Sequence, residues 1–219
     1  LRIKQPLDHE RPEAGHFYQR VFLSHRNRDA PTVLVTEGYQ RPANRIYELT
    51  EYMGANQIQV EHRYFGASVP EDPDYQYLSI KQMAGDLHKI NQLFRQVYNQ
   101  PFVSTGISKG GMTTLFYKYF HPDDVEAAVP YVAPINLAFK DQRIYTFLDT
   151  VGTDECRDNI VEFQKKLLEK KDDYLPWVKW YAKGRDISFE RLGLEAAYEY
   201  AVLEYSFSFW QLGHDCGSI

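Results

Sequence analysis

The chain has 219 residues, a formal charge of -5, and acidic and basic residues mixed along its length, enough to bury one sizeable core plus an appendage. No lysine or arginine block could neutralise a row of phosphates, and no apolar run approaches the roughly 20 residues that span a bilayer, so neither nucleic acid nor membrane is an expected partner. Two cysteines, Cys156 and Cys216, lack the paired spacing of a zinc cluster and leave a disulfide and two free thiols equally open. The N-terminus has no apolar stretch of signal type, although an upstream signal removed on export remains compatible with the sequence.

In chain order, the alternation Phe17-Tyr18-Gln19-Arg20-Val21-Phe22-Leu23 predicts a half-buried strand, followed by a turn at Asn27, Arg28 and Asp29. Thr32-Val33-Leu34-Val35-Thr36 is a continuous β-branched run, the pattern of a strand covered on both faces. Ile46, Leu49 and Met53 predict a helix over 44–53, and Ile58-Gln59-Val60 another strand. Ser79 and Gln82 predict a capping box for a helix carrying the stripe Met83, Leu87, Ile90, Phe94 and Val97. A strand at Pro101-Phe102-Val103-Ser104 leads through Gly106 to Gly111 into a helix ending near His121, and Ala127 to Val132 predicts a further strand. Strands alternating with helices argue for a mainly parallel sheet with helices on both faces. Beyond Pro134 helical stretches replace strands: Cys156 to Lys170, a stretch around Trp177 and Trp180, and Leu192 to Phe207. The expected division is residues 1–140 as the N-terminal part of the sheet core and 141–219 as a helical cap region. Many of the seventeen tyrosines fall in the latter, where they suit either the walls of a peptide cleft or packing between helices.

Gly106-Ile107-Ser108-Lys109-Gly110 places Gly-x-Ser-x-Gly between a strand and a helix. Such a turn strains its central residue and projects the side chain above the sheet, the nucleophile elbow of an α/β hydrolase, while the glycines stand where the backbone crosses itself too closely for a Cβ. Ser108 is therefore the expected nucleophile, and the Lys109 backbone N–H, at the helix start, an expected oxyanion donor.

Three motifs carry a family resemblance: Ser108-Lys109-Gly110-Gly111-Met112, Glu61-His62-Arg63-Tyr64-Phe65-Gly66-Ala67-Ser68 and Pro6-Leu7-Asp8-His9. Across residues 1 to about 135 the chain resembles the secreted serine peptidases related to lysosomal Pro-X carboxypeptidase and dipeptidyl peptidase, and among them the bacterial secreted tripeptidyl aminopeptidases. That resemblance implies an α/β-hydrolase core, a helical cap over the cleft, no metal or organic cofactor, a secreted or periplasmic location, and cleavage of short peptides next to proline. It also implies that the loop Thr36-Glu37-Gly38-Tyr39 carries the second oxyanion donor, at Tyr39 first and Gly38 second. Arg63 and Tyr64, just after a sheet strand, are expected either to tie loops together or to touch substrate. Glu37 is expected either to bind the free amino terminus of a peptide or to pair with Arg41 or Arg63.

A serine hydroxyl needs a base, and in this fold the acid and histidine follow the serine in the chain. His121 lies at the far end of the helix that starts beside Ser108, roughly 18 Å away at 1.5 Å per residue, and His214 has no preceding strand. The expectation is a C-terminal remainder that supplies both acid and base, the present chain being the N-terminal portion. An esterase or acyltransferase of the same fold, or a non-catalytic binding module, are the alternatives.

Overall fold

In the computed structural model, which describes residues 1–190 and 192–218, the unit Leu1–Ile135 builds a six-stranded mixed sheet. Its elements are β1 (Arg2–Pro6), β2 (His16–Ser24), β3 (Thr32–Thr36), α1 (Glu48–Met53), β4 (Asn56–Val60), α2 (Ile80–Arg95), β5 (Phe102–Ile107), α3 (Lys109–Phe120) and β6 (Ala127–Tyr131). The spatial order is β1-β2-β4-β3-β5-β6. β2 runs antiparallel to β1 and β4, while the β4–β3, β3–β5 and β5–β6 pairs are parallel. This is the strand order and sense of an α/β-hydrolase core, with the elbow following the central parallel strand β5.

Every residue of β3 and β4 is buried, because apolar side chains cover both faces of the sheet. On one face Leu34, Ile58 and Val60 meet Met83, Leu87, Ile90 and Phe94 of α2 and Tyr117 of α3. On the other, Val33, Val35 and Ala55 meet Tyr47, Leu49 and Met53 around α1.

Several boundaries differ from expectation for local polar reasons. The helix expected from Asn44 starts only at Glu48, since the N–H groups of Arg45 and Tyr47 donate to the Gln59 and Gln57 side chains and hold the preceding residues as a loop. Val97 lies beyond α2 and is exposed, and Tyr98 fills the core there instead. Half of the expected capping box forms: Ser79 accepts the Gln82 N–H, whereas the Gln82 side chain turns to Asp8 and His9. β1 had no sequence signal, because its buried residue is Gln5, which donates to Gln19 and to the Asp86 carbonyl rather than packing as an apolar group.

The second unit, Asn136–Ile219, is helical: α4 (Gln142–Thr150), α5 (Asp154–Glu169), α6 (Lys171–Lys183), α7 (Leu194–Leu203) and α8 (Tyr205–Gln211). Thr153 caps α5 by accepting the Cys156 N–H, and Asp141 caps α4. Cys156 and Cys216 form a disulfide with Cα atoms 5.3 Å apart, beside a small core of Ile160 and Phe209. Lys171 bridges α6 and α7 through Glu195 and Glu199.

Candidate active site

Ser108 sits at the tip of the turn between β5 and α3 with φ 56° and ψ -121°, a left-handed conformation that side chains seldom adopt and that functional turns hold against strain. Three backbone segments enforce it. A Cβ on Gly106 would strike the Gly110 carbonyl and come within 2.7 Å of the Thr36 carbonyl oxygen, and a Cβ on Gly110 would come within 2.5 Å of that same oxygen. The Thr36 hydroxyl pins the crossing by donating to the Gly110 carbonyl at 2.8 Å, and the Ser108 N–H donates to Tyr131 at 2.9 Å. The Ser108 side chain is left exposed. Among the described residues, the Lys109 N–H in the first turn of α3 and the Tyr39 N–H in the loop after β3 donate to no protein acceptor. Both are thus available to an oxyanion.

The Lys109 side chain folds back over this loop. Its ammonium donates to the Gly38 carbonyl at 2.5 Å and lies 4.9 Å from the Tyr39 ring centroid and 5.1 Å from that of Phe65. Phe65 packs edge-on against both Tyr39 and His62. Burial, reinforced by the Lys109 charge, lowers the His62 pKa to about 4, so its imidazole is neutral at pH 7; one ring nitrogen is 2.8 Å from the Arg63 carbonyl. His62, Phe65 and Lys109 border a cavity of about 210 Å3 with Met83, Met112 and Phe116. No single stretch of the chain announces this grouping, since its members come from three separate segments.

Glu37 is tied into the loop wall: Oε1 accepts from Gln59 at 2.7 Å and from the Tyr47 hydroxyl at 2.9 Å, and Arg41 Nε lies 3.6 Å away. Burial, then the neighbouring Glu37 charge, raises the Tyr47 pKa to about 12.

Of the two roles expected for Arg63, tying loops together or touching substrate, its burial favours the first. Its Nε and Nη2 clasp both oxygens of Asp86 at 2.7 and 2.8 Å, and its remaining hydrogens go to the carbonyls of Pro6, Leu7 and Tyr77. All five donors of the guanidinium are consumed, leaving none for a ligand. Tyr64 is likewise buried and donates its hydroxyl to the Asp74 carbonyl. The motif has a structural logic: Glu61 accepts from Arg41 N, Ala67 N and the Ser68 hydroxyl, and Arg63 joins the Pro6-Leu7-Asp8-His9 segment to α2. His9 completes that junction by contacting Asp86 at 2.8 Å.

Among the described residues no imidazole bonds Ser108. His121 caps the far end of α3, its ring stacked on His88 at 4.2 Å and 12°. His88, His121 and Asp124 offer ligand atoms within 4.8 Å of one another, yet near-parallel rings aim their in-plane lone pairs side by side rather than at one ion. His88 instead contacts Asp124 at 2.8 Å, and Tyr117 donates to the same oxygen. His214 lies in the second unit with its ring against Phe209.

Comparison with known proteins bears on this geometry. The family model described as PS-10 peptidase S37 matches residues 1–219. The chain is 37% identical over 224 residues to the prolyl tri/tetrapeptidyl aminopeptidase of Streptomyces mobaraensis, covering 100% of this chain and 47% of that protein. It is 34% identical over 101 residues to the serine protease vicPb of Bipolaris victoriae, covering 38% of this chain and 19% of that protein. The chain thus spans less than half the length of these curated relatives. Among solved structures, the α/β hydrolase GrgF from a Penicillium species superposes with a TM-score of 0.49 at 17% identity, over 98% of this chain and 67% of that one. The chain belongs to the peptidase S37 family.

Proposed function

We propose that the protein is a serine exopeptidase that releases short peptides, tripeptides foremost, from peptide N-termini with a proline-related preference. The observation that carries this is the strained, exposed Ser108 at a strand-to-helix elbow in a chain of the S37 family. Ser108 Oγ attacks the scissile carbonyl carbon while its proton passes to a histidine base. The Lys109 and Tyr39 N–H groups hold the resulting oxyanion, with Gly38 the second choice for the latter. Collapse breaks the C–N bond, the imidazolium protonates the leaving amine, and water then releases the acyl group from Ser108. No metal or organic cofactor enters this scheme.

Acid and base belong, in this reading, to a C-terminal remainder of the same enzyme, because the described histidines are engaged elsewhere or remote along α3. The helical unit is a cap region, and the Cys156–Cys216 disulfide supports a secreted or periplasmic location. No helix among the described residues is long and apolar enough to cross a membrane. For Glu37, the hydrogen bonds to Tyr47 and Gln59 favour shaping the loop over capturing a peptide amino terminus.

The test uses the full-length enzyme with a free-amino prolyl tripeptide amide, its N-blocked form and a simple ester. We expect turnover of the free-amino amide to exceed that of the blocked one by about 100-fold, as positioning by the amino terminus demands. Turnover of the ester alone would support an esterase instead.

A further inference from the structure

We propose that the side chain of Lys109, beyond the backbone N–H that precedes it, is a positioning residue that sets the direction of the second oxyanion donor. The inference rests on the reading above, in which Tyr39 N–H is that donor. The Gly38 carbonyl and the Tyr39 N–H belong to one peptide unit. The chain contains no cis peptide among its described residues, and in a trans unit the carbonyl and the N–H lie in one rigid plane and point in opposite directions. Whatever holds the Gly38 oxygen therefore aims the Tyr39 hydrogen. Lys109 Nζ holds that oxygen at 2.5 Å.

Three observations indicate that the cation is kept for this purpose rather than for packing. First, its ammonium has no carboxylate within 4 Å among the described residues; its partners are a single carbonyl and the faces of Tyr39 and Phe65. Cation–π contacts of that kind compensate only part of the cost of drying a charge, and burial pushes the Lys109 pKa down accordingly. An apolar side chain of equal length would fill the space without that cost. Second, the neighbour that could repel it, His62, is neutral at pH 7. Third, the loop has no room to drift towards the helix: a Cβ on Gly38 would lie 2.5 Å from Lys109 Cβ and 2.9 Å from Gly110 N. The stem of Lys109 thus fixes where the peptide sits, and its ammonium fixes which way it faces. Without the ammonium no described group holds the Gly38 oxygen, so the Gly38–Tyr39 unit can tilt about Gly38 ψ and Tyr39 φ and carry its N–H off line, with no Cβ on Gly38 to resist it.

The experiment compares Lys109→Met and Lys109→Arg in the full-length enzyme, reading kcat and KM on the prolyl tripeptide amide and the rate of Ser108 phosphonylation by a fluorophosphonate. Loss of one aligned oxyanion donor costs about 100-fold in kcat. Lys109→Met should lower both kcat and the phosphonylation rate by about 30- to 100-fold, with KM changed by less than about 3-fold, because the donor acts on the transition state. Lys109→Arg, which keeps charge and donor, should recover to within about 10-fold of the parent. A Lys109→Met enzyme with kcat within about 2-fold of the parent, or a loss confined to KM, would overturn the proposal. Should Lys109→Met not fold, Tyr39→Leu removes one face of the cage at an exposed ring. It should lower kcat by about 10-fold, and unchanged kcat would then be the contrary result. Failure of the underlying reading is distinguishable: it would appear as turnover surviving Ser108→Ala, whereas the Lys109 comparison holds for ester turnover as well as peptide.

Discussion

The two units hold themselves together by different means. In the sheet unit a core of twelve buried side chains is overlaid by buried polar networks, of which Arg63–Asp86–His9 and the Glu61 cluster tie together segments distant in sequence. The helical unit has a buried cluster of Cys156, Ile160 and Phe209, a disulfide beside it, and large apolar side chains such as Phe139, Trp177 and Trp180 exposed. A sheet unit so specified can hold a strained residue such as Ser108 in place. A unit with few buried contacts depends more on constraining its unfolded chain.

That contrast is open to direct attack. Arg63→Met removes five hydrogen bonds and leaves Asp86 buried without its main partner, so it should destabilise the sheet unit by about 3–5 kcal/mol in urea unfolding. A loss under about 1 kcal/mol would mean that the polar network is dispensable and the apolar core sufficient. In the helical unit the disulfide closes a loop of 60 residues, worth up to about 4 kcal/mol in the chain-entropy model. Replacing Cys156 and Cys216 together by serine should therefore raise amide exchange in α5 and α8 while leaving β3, β4 and β5 protected. Uniform loosening of both units would erase the distinction.

A smaller effect concerns pH. The His62 pKa is lowered to about 4 in the fold from an ordinary value of 6.5, so between those values the unfolded chain binds more protons than the folded one. Stability accordingly falls as pH drops through that window. At pH 4 the cost relative to neutrality is about 3 kcal/mol from this group. His62→Gln should remove that share of the acid sensitivity, which denaturation of parent and variant at pH 7 and 4 will show. Equal acid losses in both would place His62 in a wetter environment than the structure gives it.

Much of the sheet unit was legible in the sequence because its signals are local. The run Thr32 to Thr36 reads as a doubly covered strand, and the glycines of the elbow mark backbone crossings that tolerate no Cβ. The rest depends on partners far along the chain. β1 escaped because Gln5 is buried for its hydrogen bonds, which leaves no apolar alternation to see. Arg63 carries the same letter whether it meets a substrate or Asp86, and only burial distinguishes the two. The cage around Lys109 draws on Tyr39, His62 and Phe65, so no window of sequence contains it. In the helical unit, α4 had no sequence expectation, although Ile144, Phe147 and Leu148 stand at helical spacing along its nine residues.

The proposed chemistry turns on Ser108 as the acyl-forming nucleophile. Its most direct test is fluorophosphonate labelling of the full-length enzyme, followed by mass mapping of the modified peptide, in the parent and in Ser108→Ala. A single adduct on Ser108 is expected in the parent, none in the variant, and a loss of turnover of at least about 10⁴-fold. Labelling of the Ser108→Ala protein at the parent rate, or an adduct mapped to a different residue, would contradict it.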